Sequence, residues 1–276
     1  MNQLKFTAVA AVLAVATSTA SASTLNGVDF GAATPIYTLD QTTGALTAGP
    51  ATGVGGIGDL ASSGADATLW GVQISSNTLY RFDATSGATL GTVAVTGSNA
   101  PTGAPEKIVS LAYDAKGKVL YGNSTTLLGG GTDLFRIDPA TGAATWVGNL
   151  QVDKMYALAF DPIGGYLYGA NGEIGDPSSL WRIDPATAAA VSVGALRTNG
   201  NFDLAFRPED NALFLASSGS YSLYTVDIAT AATTLVGAYG SSTNVVGLAF
   251  AVPEPQTYAL MVAGLVAVGF VARRRR

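Results

Sequence analysis

The chain has 276 residues, of which 48% are hydrophobic and 12% are charged, and it contains neither Cys nor His. This composition excludes disulfides, Cys/His zinc sites, thiol nucleophiles and Ser-His-Asp triads. Five of the 14 cations lie at the two ends, so the region between Asp29 and Glu254 carries nine cations against all 19 acids, a net charge of −10. We expect no nucleic-acid partner, because such an acidic region repels phosphates.

The first 22 residues have the parts of a secretory signal peptide. Lys5 supplies the positive charge, and Phe6–Ala16 is an apolar segment of 11 residues, which is short for a membrane span. Small residues at Ala20 and Ala22 fit the pattern that signal peptidase recognises, which predicts cleavage before Ser23. The alternative is an uncleaved N-terminal anchor.

Two sequence elements recur through residues 23–251. Both are short apolar runs bounded by turn residues, which is typical of β-strands. The first element ends in Asp and occurs at Ile36–Asp40, Leu79–Asp83, Leu134–Asp138, Leu180–Asp184 and Leu223–Asp227. The second contains Leu-Ala and begins at Asp59, Ser110, Ala157, Asp203 and Gly247. A further apolar run follows each of the two elements. One repeat therefore predicts four short strands.

Four strands in about 45 residues is the size of one β-propeller blade. The first repeat lacks its first strand, and Gly247–Phe250 is a first strand alone. We therefore predict an all-β propeller of five blades in which strands from both ends complete one blade, leaving no apolar sheet edge open. The 55-residue interval between Asp83 and Asp138 leaves six blades as the alternative.

The repeat pattern resembles the broad WD-like, kelch-like and YVTN-like group of bacterial extracytoplasmic β-propellers. This resemblance implies an architecture and no activity, because propellers include enzymes, binding proteins and scaffolds. We expect the Asp residue that ends each first element to cap a turn on the rim. We expect Trp70, Trp146 and Trp181 to lie in the blade core.

Two acids occupy the same position of the second element in different repeats. Asp59 and Asp203 stand where the other copies have Ser, Ala or Gly, and strand alternation places this position on the channel side. The two carboxylates could hold Ca²⁺ together with Asn201, or could share a proton as an acid–base pair. The structural alternative, which we favour, is that each carboxylate binds backbone N–H groups of the neighbouring blade.

The C-terminus contains three elements in order. Pro253-Glu254-Pro255 is followed by the uncharged segment Tyr258–Ala272 and then by an Arg cluster, which predicts a short membrane helix whose C-terminal end is cytoplasmic. The cluster consists of Arg273, Arg274, Arg275 and Arg276. This tail resembles the PEP-CTERM sorting signal of Gram-negative bacteria. The alternative is a plain C-terminal membrane anchor.

The PEP-CTERM resemblance implies recognition by an exosortase, a membrane protease-transferase. It also implies an inner-membrane intermediate, followed by location at the cell surface or in the exopolysaccharide matrix. The predicted domains are a signal peptide (1–22), a propeller (23–251) and a sorting tail (252–276).

We expect a non-enzymatic protein that binds polysaccharide or another surface protein, with no cofactor unless Ca²⁺ occupies the channel. The alternative is a calcium-dependent hydrolase or lactonase, or a glycan-cleaving enzyme, that uses the channel carboxylates.

Replacing Pro253 and Pro255 by Ala is expected to trap the full-length chain in the inner membrane. The two prolines prevent the membrane helix from extending outward and so provide the break that a processing enzyme recognises. Insertion itself should persist, because the apolar segment and the Arg cluster are unchanged. The measurement is the mass of the C-terminal peptide from surface and membrane fractions of the native host. Wild-type surface protein that retains Tyr258–Arg276 would contradict this prediction.

Overall fold

Each repeat folds into a four-stranded antiparallel sheet in the computed structural model of the chain. The structure describes residues 22–64, 67–98, 106–124, 132–172, 175, 177–198, 200–240 and 243–252. The leader up to Ala20, Pro253-Glu254-Pro255, the predicted helix Tyr258–Ala272 and the Arg cluster lie outside these ranges. None of the described residues forms a helix with the length and apolar character that a bilayer span requires.

Four blades are each built from one continuous stretch of chain, with the first strand innermost. Their strands are β4 (Ile57–Ser62), β5 (Thr68–Gln73), β6 (Thr78–Asp83) and β7 (Thr89–Ala94) in blade 2; β8 (Ile108–Asp114), β9 (Val119–Ser124), β10 (Asp133–Ile137) and β11 (Ala144–Asn149) in blade 3; β12 (Met155–Phe160), β13 (Leu167–Asn171), β14 (Ser178–Ile183) and β15 (Ala190–Leu196) in blade 4; and β16 (Asn201–Phe206), β17 (Leu213–Ser217), β18 (Ser222–Val226) and β19 (Thr233–Ala238) in blade 5.

Blade 1 combines strands from both ends of the body. Its order from the axis outward is β20 (Val245–Ala251), β1 (Thr24–Asp29), β2 (Pro35–Leu39) and β3 (Leu46–Ala51). β20 pairs antiparallel with β1, so that Leu25 lies opposite Phe250. The prediction of five blades closed by both ends is confirmed, and the alternative of six is wrong. The ring closes within residues 24–251, without the leader or the tail.

Apolar side chains from neighbouring sheets pack together at each of the five junctions between blades. The Leu of every innermost strand is 1% exposed and lies in these clusters. Burying such a side chain contributes roughly 1.5–3 kcal/mol. The next residue is Ala in all five strands, and it lines the channel on the axis, as strand alternation predicted. The Ala residues are Ala61, Ala112, Ala159, Ala205 and Ala249.

The turn between the third and fourth strands has the same capped form in every blade. In blade 5, Asp227 Oδ1 accepts hydrogen bonds from the N–H groups of Ala229 at 2.8 Å and Thr230 at 2.9 Å. These bonds lower the pKa of Asp227. The equivalent aspartates each accept the N–H two residues ahead at 2.7–2.9 Å. The expected role of these acids in turn capping therefore agrees with the structure.

A glycine in the outermost strand makes room for the capped turn of the next blade. A Cβ on Gly237 of β19 would lie 1.9 Å from the carbonyl oxygen of Thr43, in the turn of blade 1. Gly148 and Gly194 face the corresponding turns of blades 4 and 5 at close range. The recurring glycine therefore reflects packing between blades.

Trp146 departs from the expectation that all three tryptophans lie in the blade core. Its side chain on the outermost strand β11 is 38% exposed. The indole N–H donates to Asp133 Oδ1 at 2.8 Å. The outer strand has no neighbour beyond it, so a large ring there packs along the sheet edge and keeps a polar partner. Trp70 and Trp181 pack partly buried against core clusters.

Gly237→Ala is expected to lower the free energy of unfolding of residues 23–252 by about 2 kcal/mol or more, because the added methyl collides with backbone and not with a movable side chain. The matched control is Gly91→Ala on the outer strand β7, where a Cβ meets nothing within 4 Å. This control should be neutral or slightly stabilising. Urea titration of both variants gives the measurement. Equal stability of the two variants would contradict the packing role of Gly237.

Candidate functional site

The central channel is surrounded by the five innermost strands. We call the end of the propeller with the turns between first and second strands the turn face. The opposite end, with the connections between second and third strands and between blades, is the loop face. A cavity of about 160 Å³ lies at the turn-face end of the channel. Its lining is mainly Leu, Ala, Pro and aromatic residues from all five innermost strands and the turns that follow.

Asp59 directly precedes Leu60, which lines this cavity, and is completely buried. Its Oδ1 accepts the N–H of Leu60 at 2.5 Å, and its Oδ2 accepts the N–H of Leu111 at 2.6 Å. Leu111 belongs to β8 of the neighbouring blade 3. The carboxyl group therefore joins two innermost strands through backbone amides.

Asp203 makes the same arrangement at the junction of blades 5 and 1. It is completely buried, and its Oδ1 accepts the N–H of Leu204 at 2.6 Å. Its Oδ2 accepts the N–H of Leu248 in β20. Both acids follow a shift in strand register, between Ile57 and Asp59 and between Asn201 and Asp203. Such bulges re-aim side chains and interrupt pairing.

The two carboxyl groups also hydrogen-bond to each other. Burial raises the pKa of Asp59, while the hydrogen bonds from Asp203 and from the backbone oppose this effect. Burial raises the pKa of Asp203 well above its usual value, and the charge of Asp59 and their mutual hydrogen bond raise it further. Two buried carboxyl groups that hydrogen-bond to each other do not both ionise readily, which favours one proton shared by the pair.

The equivalent position in blade 3 is occupied by a buried serine with its own polar partners. The hydroxyl of Ser110 hydrogen-bonds with Asn123 Oδ1, and Asn123 Nδ2 donates to the carbonyl oxygen of Met155 in blade 4 at 2.9 Å. In blade 1, a Cβ on Gly247 would lie 2.8 Å from the backbone N of Leu60. The residues equivalent to Asp59 in blades 3 and 1 therefore also contact, or make room for, a neighbouring innermost strand.

These contacts match the favoured structural alternative, because each acid binds the backbone of the neighbouring blade. The raised pKa values of the two acids agree with a shared proton, but the acid–base pair itself stays a prediction. Among the described residues, no group of three or more His, Cys, Asp or Glu is placed to hold a metal ion. Asn201 lies in β16 opposite Ser217, but its side chain is outside the described part of the structure. The calcium site stays a prediction.

A second, shallow pocket of about 470 Å³ opens on the loop face between blades 4 and 5. Its lining includes Arg197, Thr198, Ser220 and Tyr224. Arg197 and Ser220 are exposed, and Tyr224 Oη hydrogen-bonds with Ser220 Oγ at 3.1 Å. The sequence did not predict this pocket, because every lining residue except Tyr224 comes from connections that do not repeat.

The fold and its channel define a five-bladed β-propeller. Residues 154–252 match a family described as a repeat of unknown function, DUF6923. Residues 251–276 match the PEP-CTERM protein-sorting motif. The chain therefore ends in a PEP-CTERM sorting motif, as the sequence indicated, and such motifs mark proteins exported by an exosortase-type system to the cell surface.

Two solved structures are similar to this chain, and the likeness to the first supports the fold alone. A chain of the nidogen–laminin complex, seen in a crystal structure, has a TM-score of 0.57 and 12% identity, covering 84% of this chain and 99% of that one. Hydrazine synthase from Kuenenia stuttgartiensis has a TM-score of 0.46 and 18% identity, covering 65% of this chain and 48% of that one. No curated protein matches this chain in sequence.

Replacing both buried acids by Ser, the residue at the equivalent position in blade 3, should change how stability depends on pH. The folded pKa values of Asp59 and Asp203 are raised, so their contribution is fully present below the unfolded value of about 3.9 and is lost as pH rises. For each proton that the folded state retains, the free energy of unfolding of the wild type should fall by roughly 1.4 kcal/mol per pH unit relative to that of the double variant.

Denaturant titrations between pH 4 and 8 measure this difference in slope. The control is Ala157→Ser, which alters the equivalent position of blade 4 without removing a titratable group. Parallel pH profiles of the wild type and the double variant would contradict the shared proton.

Proposed function

We propose that this chain is a surface-exported, non-enzymatic binding protein whose propeller binds carbohydrate in the loop-face pocket between blades 4 and 5. The sorting motif at residues 251–276 supports export and surface location. The binding role is supported by the placement of the chain ends, the lining of the pocket and the contacts of the channel acids.

Placement of the chain ends is the observation that carries the proposal. β1 begins and β20 ends on the turn face, because they take the places of second and first strands in blade 1. Leader and tail are therefore both joined to the body at the turn face. An attachment through the tail leaves the loop face as the surface that carries no chain end.

The lining of the loop-face pocket suits a ligand rich in hydroxyl groups. Arg197 and Ser220 supply hydrogen-bonding groups, and the ring of Tyr224 combines an apolar face with a polar edge. The volume of about 470 Å³ lies within the usual range for small-ligand sites. The body is acidic, which favours a neutral carbohydrate over a strongly anionic one.

A binding role is also supported by the contacts of the channel acids. Asp59 and Asp203 use both oxygens on backbone N–H groups and contact each other. A catalytic acid or base must reach the proton that it transfers to or from a substrate. Carboxyl groups engaged in this way serve the assembly of the ring.

Arg197→Ala and Tyr224→Ala should each weaken carbohydrate binding by about tenfold or more, as expected for loss of a main polar or stacking contact. Residues 23–252 are first screened on a glycan array, and affinities for the best neutral glycan are then measured by calorimetry. Tyr166→Ala is the matched control, because this aromatic residue is 38% exposed and lies on the turn face. Its affinity should equal that of the wild type.

Two outcomes would overturn the proposal. One is the absence of any glycan ligand, or binding that the Tyr166 variant loses as readily as the other two. The other is a large rise in melting temperature on calcium titration that the double Ser variant at Asp59 and Asp203 abolishes, since this would favour the metal-dependent alternative. Capture of a surface protein by the same pocket would replace carbohydrate as the ligand class.

A further inference from the structure

Ser23 is held by both oxygens of a single carboxylate. Its backbone N–H donates to Glu209 Oε1 at 2.5 Å, and its hydroxyl donates to Glu209 Oε2 at 2.7 Å. Ser23 is 4% exposed, whereas the preceding Ala22 is exposed. The contact therefore encloses the residue at which the sequence predicts that the mature chain begins.

These residues belong to a polar network that joins blade 1 to blade 5. Gln41 donates to the carbonyl oxygen of Ser23 at 2.8 Å, and Arg207 Nη1 donates to Gln41 Oε1 at 3.0 Å. Arg207 also forms an ion pair with Asp210 at 2.6 Å. We call Ser23, Gln41, Arg207 and Glu209 the Ser23 clasp. It spans the junction that the two ends of the body complete.

We infer that Glu209 is the binding site for the α-ammonium group of Ser23, which is created when signal peptidase removes the leader. Hydrolysis breaks the peptide bond between Ala22 and Ser23, and water supplies the oxygen of the new Ala22 carboxylate. Both hydrogens of this water end on the nitrogen of Ser23, one of them after the new carboxyl group releases it at neutral pH. The amide N–H of Ser23 thereby becomes an ammonium group. The neutral donor at 2.5 Å from Glu209 becomes a cation.

Charge makes the difference between the precursor and the mature chain. The amide N–H gives the Glu209 carboxylate a hydrogen bond to an uncharged donor, whereas an ammonium group adds the attraction of a full positive charge to that bond. Partial burial raises the pKa of Glu209, but the hydrogen bonds from Ser23 outweigh this and lower it, so the group is a carboxylate. Arg207 forms its close ion pair with Asp210 and acts on Glu209 through its charge alone. Both oxygens of Glu209 therefore contact Ser23.

The burial of Ser23 also sets the order of events. A peptidase needs its target in an accessible, extended segment, and Ser23 is enclosed once blade 1 packs against blade 5. Leader removal therefore precedes closure of the ring, and the ammonium group enters the clasp as the ring closes. A chain that keeps its leader closes with the weaker contact, in which the donor to Glu209 is an uncharged amide. This inference is independent of the carbohydrate site on the loop face.

The test uses four versions of the propeller body, which closes within residues 24–251. Each is released from a fusion partner that leaves no extra residue, and begins either at Ser23 or at Ala22, with or without Glu209→Gln. A start at Ala22 restores the amide at Ser23 and moves the ammonium group out by one residue. Two readouts are the melting temperature and the acylation rate of the α-amine, followed by the mass of the N-terminal peptide.

With Glu209 present, the chain that begins at Ser23 should melt about 3 °C higher than the chain that begins at Ala22. Its α-amine should react about tenfold more slowly, because an ion pair that raises the amine pKa by one unit reduces the free amine by this factor. Glu209→Gln should remove both differences. Sequencing of the mature protein from its native host should find Ser23 first.

Equal melting temperatures and equal acylation rates for the two starts would overturn the inference, as would an effect of Glu209→Gln that is the same for both. A native start at another residue would overturn it as well. A purely structural role of Glu209 would lower the melting temperature of both starts alike and leave the reactivity of the amines unchanged.

Discussion

Five innermost strands meet around one axis, and the unpaired edge of each strand turns backbone N–H groups towards its neighbours. These groups are buried, and a buried donor without a partner destabilises the fold by roughly 1–3 kcal/mol. At two junctions a carboxyl group accepts this hydrogen bond. Asp59 accepts the N–H of Leu111, and Asp203 accepts the N–H of Leu248. The ring can close only if these edges are satisfied.

The outer rim is held by a different contact. The capped turns of blades 1, 4 and 5 each lie against a glycine in the outermost strand of the preceding blade, as between Thr43 and Gly237. Neighbouring blades therefore contact each other in three ways. Polar contacts lie near the axis, apolar clusters lie in the middle of each junction, and close backbone packing lies at the rim. The apolar clusters recur at all five junctions, whereas the acids at the axis occur in two blades only.

The sequence predicted the blades because every copy of the pattern supplies the same strands and turns. Strand alternation also placed Asp59 and Asp203 on the channel side, and the absence of a first strand before Leu25 indicated closure by both ends. The partners of these residues were not predictable to the same degree. Ser23 and Glu209 are separated by 186 positions, and nothing in either local sequence marks the other. Trp146 was misplaced because a strand pattern alone does not distinguish an outer strand from an inner one.

The position of β20 determines how the body responds to a pull on the tail. Val252 continues directly from the innermost strand, so a pull at this end that runs along β20 would load that strand first. The antiparallel hydrogen bonds from Thr24 to Asp29 then share the load in shear, instead of opening one after another as in peeling. Neighbouring innermost strands β4 and β16 enclose β20 on both sides. Any load applied at this end of the body would therefore act first on a strand whose residues are all buried.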